Sequence, residues 1–311
     1  MSGEKQNVKK SSVIRDRYQN GGLMTKSQKI REVLKEKGVL VMPGVYDCLS
    51  AKIASRAGFD VIFITGYSVS ATLLGEPDFG LLTQTDLLSA SQRICSVTDL
   101  PVIVDADTGY GNAINTIRTV KELMRGGAAG MFLEDQVWPK RCGHMKGKQV
   151  IALDEYLKKL KAAVEARGNK DDFFIVARTD SRQAIGLEEA IRRGQAFKDA
   201  GADAVFIEAP LTKEEMREIG RKVPGPLVAN MIERGVTPLM GPEELRDLGF
   251  GLIVWPLGPL YASARALQEV YGTLKRTGTT GEVMDRLIPF EEFHDIIGLE
   301  EKYALDAKYR S

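Results

Sequence analysis

The segment PKRCGHMKGK (residues 139–148) places a cysteine and a histidine among basic residues, directly after the acidic stretch EDQ. Its candidate catalytic residues are Cys142, Lys140, Arg141 and His144. Cationic neighbours lower the pKa of a thiol and make it reactive. The simplest interpretation is a solvated basic loop, whereas the alternative is a mobile segment that carries an acid over a reaction centre, with Gly143 supplying flexibility.

Four acidic residues form a second candidate group, and two of them belong to the tripeptide DAD. They are Asp105, Asp107, Glu134 and Asp78. Crowded carboxylates raise one another's pKa, and a divalent cation relieves that cost. Ligand sets made of oxygen favour a hard ion, so we expect Mg²⁺, with Mn²⁺ as a substitute. Zinc is disfavoured because the chain has two histidines, and the alternative role for DAD is to cap the next helix.

Arg178, in the stretch VARTD, is suited to bidentate recognition of a carboxylate. Its alternative role is an ion pair with one of the acids, and the two roles are compatible.

Eight short apolar, β-branched runs recur along the chain and predict strands. They span residues 39–45, 61–67, 102–108, 131–136, 173–180, 204–209, 227–232 and 252–257. Amphipathic stretches such as NTIRTVKELMRGG and LDEYLKKLKAAVEARG lie between them and predict helices. This alternation predicts an α/β fold, a closed (β/α)8 TIM-type barrel, with a doubly wound open sheet as the alternative.

Polar residues cluster where these predicted strands end, as in TGY at 65–67, RTD at 178–180, Glu208 and Asn230. In a parallel barrel all strand C-termini meet at one rim, which is where barrel enzymes place their active sites. The sequence therefore predicts that the acids and Arg178 converge there.

Composition excludes several classes of function. With 43 basic and 42 acidic residues, the chain has no overall field that would attract nucleic acid or an anionic membrane. No apolar run approaches the roughly 20 residues needed to span a bilayer, and the N-terminus lacks the apolar centre of a secretory signal. We therefore expect a cytoplasmic protein with a flexible N-terminal extension over residues 1–24 and one barrel domain over residues 25–311.

The chain has three cysteines and no CxxC spacing, which argues against a disulfide framework or a structural zinc site. Cys48 and Cys95 lie in apolar helical surroundings, so packing roles are expected for them.

The stretches DADTGYGN, FLEDQVWPKRCGHMKGK, VARTD and NMIERGVTPL, together with their spacing, resemble the isocitrate lyase and phosphoenolpyruvate mutase superfamily over roughly residues 25–305. The resemblance implies a magnesium-dependent barrel that acts on hydroxy or oxo carboxylates through an enolate. It also implies a homotetramer whose subunits exchange C-terminal helices.

Residue by residue, the resemblance makes Asp105 the direct metal ligand, while the other three acids hold metal-bound waters. The positions that match substrate contacts are Thr65, Gly66, Tyr67, Gly143, Arg178, Glu208, Asn230 and, less closely, Arg265. Cys142 aligns with the catalytic acid, and Tyr67 or a metal-linked carboxylate is the candidate base.

Within the superfamily, GYSVSATLLGEPDFGLLT and EDQVWPKRCGHMKGK resemble the branch of 2,3-dimethylmalate lyase and petal death protein, with 2-methylisocitrate lyases nearby. The implied reaction cleaves a 2-hydroxy dicarboxylate, of the 2-alkylmalate or 2-methylisocitrate type, to a 2-oxo acid such as pyruvate plus a carboxylate. The expected ligand is thus a small di- or tricarboxylate. The alternatives are a carboxyphosphonoenolpyruvate phosphonomutase type of enzyme, an oxaloacetate hydrolase, or a noncatalytic protein on an inherited barrel.

Overall fold

The computed structural model describes residues 24–143 and 147–310. Within them, eight parallel strands close into a barrel in which each strand pairs with the next and β8 pairs with β1. The strands are β1 Leu40–Val45, β2 Ile62–Ile64, β3 Val102–Asp105, β4 Gly130–Glu134, β5 Phe174–Thr179, β6 Ala204–Ile207, β7 Leu227–Asn230 and β8 Phe250–Trp255. The predicted (β/α)8 barrel is confirmed, and the open sheet is excluded because β1 and β8 are hydrogen-bonded neighbours.

Helices cover the outside of the barrel and extend the chain beyond it. They are α1 Lys26–Lys37, α2 Cys48–Arg56, α3 Gly66–Val69, α4 Gln84–Cys95, α5 Ala113–Arg125, α6 Leu153–Ala166, α7 Ser181–Ala184, α8 Leu187–Asp199, α9 Lys213–Lys222, α10 Pro242–Asp247, α11 Gly258–Thr277, α12 Phe290–Ile297 and α13 Leu299–Tyr309. A π-helical turn spans Ser70–Leu74, and 3-10 turns span Lys170–Asp172 and Gly281–Arg286.

The strands end earlier than the sequence pattern predicts. The expected strand at 61–67 stops at Ile64, and α3 begins at Gly66. The expected strand at 102–108 stops at Asp105, because Asp107 adopts a left-handed conformation with φ of 48°. The polar residues that follow each strand therefore form turns at the rim, where their side chains are free to converge.

Capping residues in the sequence fix where the outer helices begin. Asp47, Thr83 and Asn112 each form a capping box with the residue three positions later, at the starts of α2, α4 and α5. Such reciprocal bonds satisfy backbone donors that a helix start leaves open. The rim turns that precede these helices are thereby held in place.

The core has an inner layer within the barrel and an outer layer between strands and helices. Three inner phenylalanines stack across the barrel, with ring centroids 4.7 Å apart for Phe63 and Phe132 and 5.7 Å apart for Phe132 and Phe206. Fully buried Tyr156 and Phe197 belong to the outer layer. The inner layer forms a solid floor beneath the C-terminal rim.

The C-terminal helices lie outside this core. α12 and α13 contain no buried residue, and Phe290 and Tyr309 are each 72% exposed. Exchange of these helices between subunits stays a prediction. No helix among residues 24–143 and 147–310 is long and apolar enough to cross a membrane. The predicted extension over residues 1–24 falls almost wholly outside the described residues.

Candidate active site

The DAD segment turns sharply at the end of β3 and brings two aspartates to the rim. Asp107 has φ of 48°, a conformation that aspartate tolerates better than most residues. Its amide donates to Asp105 Oδ1 at 3.3 Å, and its carbonyl accepts from the Glu134 amide at 2.8 Å. These bonds couple the ends of β3 and β4, so three of the four predicted acids occupy one corner of the rim.

Lys140 inserts a buried ammonium group among these acids. Its Nζ lies 2.6 Å from Asp78 Oδ1 and 2.6 Å from Asp107 Oδ1, and the side chain is 3% exposed. Burial raises the pKa of Asp107 to about 7, with Asp105 and Asp78 adding to the rise and Lys140 opposing it. Burial alone would lower the pKa of Lys140, but Asp107 and Asp78 outweigh this and raise it. The structure thus supplies one internal cation to an otherwise repulsive cluster.

Glu134 is the acid with the fewest partners. It is 1% exposed, and neither carboxylate oxygen has a hydrogen-bond partner. Arg178 Nε lies 3.3 Å from its Oε2, yet burial still raises the pKa of Glu134 well above its usual value. Buried acceptors are normally satisfied, so these oxygens are suited to a cation or to water bound to one.

The described residues contain no cluster of three or more His, Cys, Asp or Glu side chains that closes around a common point. Mg²⁺ does not need such a cage, because it keeps several waters and takes one or two carboxylates. The predicted arrangement, with Asp105 as direct ligand and the remaining acids holding waters, therefore fits the side chains present. Asp78 and Asp107, which would hold metal-bound waters, also bind the Lys140 ammonium group.

Arg178 is held rigidly between acids at the end of β5. Its Nε and Nη2 donate to Asp180 Oδ2 and Oδ1 at 2.9 and 3.1 Å, and Nη2 lies 3.5 Å from Glu208 Oε2. Its guanidinium stacks 5.2 Å from the Phe206 ring. The ion-pair role expected for this residue is therefore present, and the fixed plane also faces the cleft.

Asn230, at the end of β7, orients the neighbouring carboxylate. Its Nδ2 donates to Glu208 Oε1 and Oε2 at 3.3 and 3.2 Å. Its own Oδ1 is buried without a hydrogen-bond partner and so is open to a ligand donor.

Cys142 and Gly143 line the same cleft as Asp105 and Arg178. The Cys142 amide donates to the Asp78 carbonyl at 3.2 Å, and the residue is half-buried. A Cβ on Gly143 would lie 2.6 Å from Arg178 Nη2, so only glycine fits at this close approach. The thiol is therefore carried next to the residues that end β5 and β6.

A cleft lies between these groups. It is lined by Phe63, Thr65, Tyr67, Asp78, Asp105, Phe132, Cys142, Gly143, Arg178, Phe206, Asn230, Ile232, Val254, Pro256 and Leu257. Its lining combines charged groups, such as Asp105 and Arg178, with apolar side chains, such as Ile232 and Leu257. A small anion with an apolar substituent matches this combination.

Eight predicted site residues thus line the cleft directly. Gly66, Asp107, Glu134, Glu208 and Lys140 lie immediately behind it, through the contacts described above or, for Gly66, with its Cβ position 3.4 Å from Asp105 Oδ2. Arg141 lies to one side, with its guanidinium 5.4 Å from the Phe79 ring centroid. Arg265 is exposed on α11, and His144 lies outside the described residues.

Sequence reasoning missed two features of the site. Lys148, in the basic segment, donates to Asp180 Oδ1 at 2.6 Å and does not line the cleft. Tyr261, on α11, neighbours Tyr67 and Cys142; partial burial and a hydrogen bond with Tyr67 raise the pKa of Tyr261 to about 12. No local pattern predicts either partnership, because each one joins distant elements.

Comparison with known proteins places this geometry in a family. Residues 30–275 match the family model described as phosphoenolpyruvate phosphomutase. The chain belongs to the phosphoenolpyruvate mutase and isocitrate lyase superfamily. The resemblance inferred from the sequence motifs is thereby confirmed.

Several superfamily members are similar over most of the chain. Chloroplastic carboxyvinyl-carboxyphosphonate phosphorylmutase of Arabidopsis thaliana is 50% identical, covering 90% of this chain and 84% of that protein. Petal death protein of Dianthus caryophyllus is 48% identical, covering 91% and 89%. The 2,3-dimethylmalate lyase of Eubacterium barkeri is 45% identical, covering 92% and 99%.

Solved structures of superfamily members share the fold. A crystal structure of 2,3-dimethylmalate lyase has a TM-score of 0.86 and 38% identity, covering 92% of this chain and 96% of that one. Oxaloacetate acetylhydrolase with 3,3-difluorooxalacetate has a TM-score of 0.86 and 36% identity, covering 92% and 97%. Phosphonopyruvate hydrolase with oxalate and Mg²⁺ has a TM-score of 0.82 and 30% identity, covering 92% and 99%.

Proposed function

We propose that the protein is a Mg²⁺-dependent carbon–carbon lyase that cleaves a 2-alkylmalate to a 2-oxo acid such as pyruvate plus a carboxylate, via an enolate. Membership of the superfamily supports the general class of lyase or mutase chemistry. The single observation that carries the finer proposal is the Cys142 thiol, which faces the same cleft as Asp105 and Arg178.

The lining of the cleft suits both parts of such a substrate. Arg178 offers its fixed guanidinium plane to a carboxylate. The apolar lining residues, including Ile232, Pro256 and Leu257, suit an alkyl substituent. A 2-alkylmalate carries both features.

Asp105, with Asp78, Asp107 and Glu134 behind it, would hold the metal ion. When bound, Mg²⁺ would supply positive charge that favours ionisation of the substrate hydroxyl. The neutral Cys142 thiol would then donate its proton to the carbon that leaves as the carboxylate enolate. Proton removal from the hydroxyl falls to Tyr67 or to one of the rim carboxylates.

The test is a coupled pyruvate assay on purified protein with Mg²⁺ and a panel of 2-alkylmalates, 2-methylisocitrate, citrate and oxaloacetate. We expect pyruvate from at least one 2-alkylmalate, loss of turnover in EDTA, and loss of turnover in Cys142→Ser with oxalate binding retained. Full turnover in Cys142→Ser would reject the thiol as the acid.

A phosphonomutase is the second candidate, favoured by the 50% identity to carboxyvinyl-carboxyphosphonate phosphorylmutase. Phosphorus NMR with a carboxyphosphonate ester would show formation of a P–C bond. That result, with no pyruvate from any malate, would replace the lyase proposal. An oxaloacetate hydrolase would instead release oxalate and acetate from the same panel.

A further inference from the structure

Lys148 is a buried cation that the proposed chemistry leaves without a role. Its side chain is 0% exposed, and its Nζ donates to Asp180 Oδ1 at 2.6 Å and to the Gly143 carbonyl at 2.5 Å. Burying an ammonium group is costly unless it is paired and hydrogen-bonded. A lysine held this way fixes whatever it bonds.

Asp180 is itself held firmly, so it serves as an anchor. Its amide donates to Asp135 Oδ1 at 3.0 Å, and its carboxylate accepts both hydrogen bonds from Arg178. Burial alone would raise the pKa of Asp180, but the Arg178 and Lys148 cations outweigh it and hold that pKa below its usual range. One carboxylate therefore joins Lys148 to the arginine that faces the cleft.

Gly143 is pressed against the same arginine from the other side. A Cβ at this position would lie 2.6 Å from Arg178 Nη2 and 2.6 Å from Glu208 Cδ. The peptide therefore sits in direct contact with Arg178, while its carbonyl is bound by Lys148. Because Cys142 directly precedes Gly143, fixing the Gly143 peptide also restricts the position of Cys142.

We propose that Lys148 is a positioning residue, which fixes the Cys142 thiol relative to Arg178 by bonding the Gly143 carbonyl and Asp180 together. Lys148 acts through the backbone and through Asp180 and does not itself line the cleft. Through these two hydrogen bonds, Lys148 links the position of the Cys142 thiol to Arg178, the residue proposed to bind a substrate carboxylate. This positional role holds whether or not the protein is a lyase.

The test measures alkylation of Cys142 by iodoacetamide, resolved by peptide mass spectrometry, in Lys148→Met and wild-type protein. Breaking a buried hydrogen bond to a charged group should free the peptide and raise the alkylation rate about tenfold or more. Loss of a nearby cation by itself would raise the thiol pKa and slow alkylation, so a rise reports position and not charge.

Two further variants serve as controls for the Cys142 alkylation rate. Lys158→Met removes an exposed lysine from α6 and should leave the Cys142 rate unchanged. Gly143→Ala, whose methyl cannot fit against Arg178, gives the rate expected of a displaced segment. Should Lys148→Met fail to fold, Lys148→Gln, which keeps a donor on a shorter chain, takes its place.

Oxalate provides the second readout. With Mg²⁺ present, oxalate should protect Cys142 in the wild type and protect it at least about fivefold less in Lys148→Met, because the coupling to Arg178 is lost. If a substrate is found, kcat should fall while KM changes less than about threefold, since Arg178 keeps Asp180.

A folded Lys148→Met whose Cys142 rate stays within twofold of wild type would overturn the proposal. An equal rise in Lys158→Met would overturn it as well. Absence of pyruvate release from every malate would reject the lyase and leave the alkylation result standing, so the two failures are distinguishable.

Discussion

Replacement of Lys140 by methionine tests how much the acidic rim depends on its internal cation. The Lys140 ammonium lies 2.6 Å from a carboxylate oxygen of Asp78 and 2.6 Å from one of Asp107. Methionine has a similar length and fills the same space, so the charge is the main change. Two carboxylates would then stay buried without their shared partner.

The magnitude follows from the cost of an uncompensated buried charge. Removing one partner of a buried ion pair destabilises a protein by about 3–5 kcal/mol. Protonation of a carboxylate relieves part of this, so we expect about 3 kcal/mol at neutral pH. Unfolding entropy is about 2 cal/mol/K per residue, so for a domain of this size each kcal/mol lowers Tm by about 2 °C, which gives a loss of about 6 °C.

The assay is thermal unfolding followed by circular dichroism in EDTA, with Lys158→Met as the matched control. The pKa of Asp107 is already about 7 in the folded state, above its ordinary 3.8. Loss of Lys140 would raise it further, so the folded mutant retains protons that the unfolded chain releases. The deficit should therefore grow as the pH rises above about 7, where wild-type Asp107 releases its proton and Asp107 of the mutant keeps it.

A Tm within about 2 °C of Lys158→Met at pH 7 would contradict this reasoning. So would a deficit that does not grow as the pH rises above about 7. Either result would mean that water, and not Lys140, solvates the acids of the rim.

Three further predictions concern ligand, metal and thiol. Arg178→Lys keeps the charge but loses the planar contact with Asp180, so oxalate affinity should fall about thirtyfold, or about 2 kcal/mol, by calorimetry; an unchanged affinity would remove Arg178 from the anion site. Asp105→Asn should abolish the rise in Tm that Mg²⁺ gives the wild type, and a retained rise would place the ion elsewhere. Burial raises the pKa of the Cys95 thiol from 9.0 to about 11. The stability contributed by the neutral thiol is thus fully present below pH 9, and about 3 kcal/mol of it is lost as the pH rises to 11. In urea titrations, the free energy of unfolding of Cys95→Ala should therefore fall less than that of the wild type between pH 9 and 11.

The fold was predictable because its signals are local. Apolar β-branched runs and the amphipathic stretches between them report strand and helix directly, and all eight strands formed where these runs lie. The strand ends were predicted too long, since a residue such as Asp107 reverses the chain through a left-handed conformation that composition does not reveal. Capping residues such as Asn112 indicate where a helix starts but do not predict the conformation of the turn before it.

The convergence of the acids was predictable for a geometric reason. Parallel strands in a barrel bring every C-terminal residue to one rim, so Asp105, Glu134 and Arg178 had to be neighbours once the barrel was assigned. The partner of each charge was not predictable, because it depends on where a segment from another part of the chain folds down.

The basic segment shows why that second step matters. The sequence made Lys140 a candidate catalytic residue, yet Lys140 binds Asp78 and Asp107, and Lys148 binds Asp180. Charge in this segment therefore balances acids that the barrel itself has brought together, and Lys140 opposes the rise in pKa that burial imposes on Asp107. In the proposed function, positive charge for a substrate carboxylate would come instead from Arg178, which Asp180 positions. The same ion pairs therefore position Cys142 and stabilise the acidic rim. A substitution of Lys140 or of Lys148 should consequently change both the position of Cys142 and the stability of the rim.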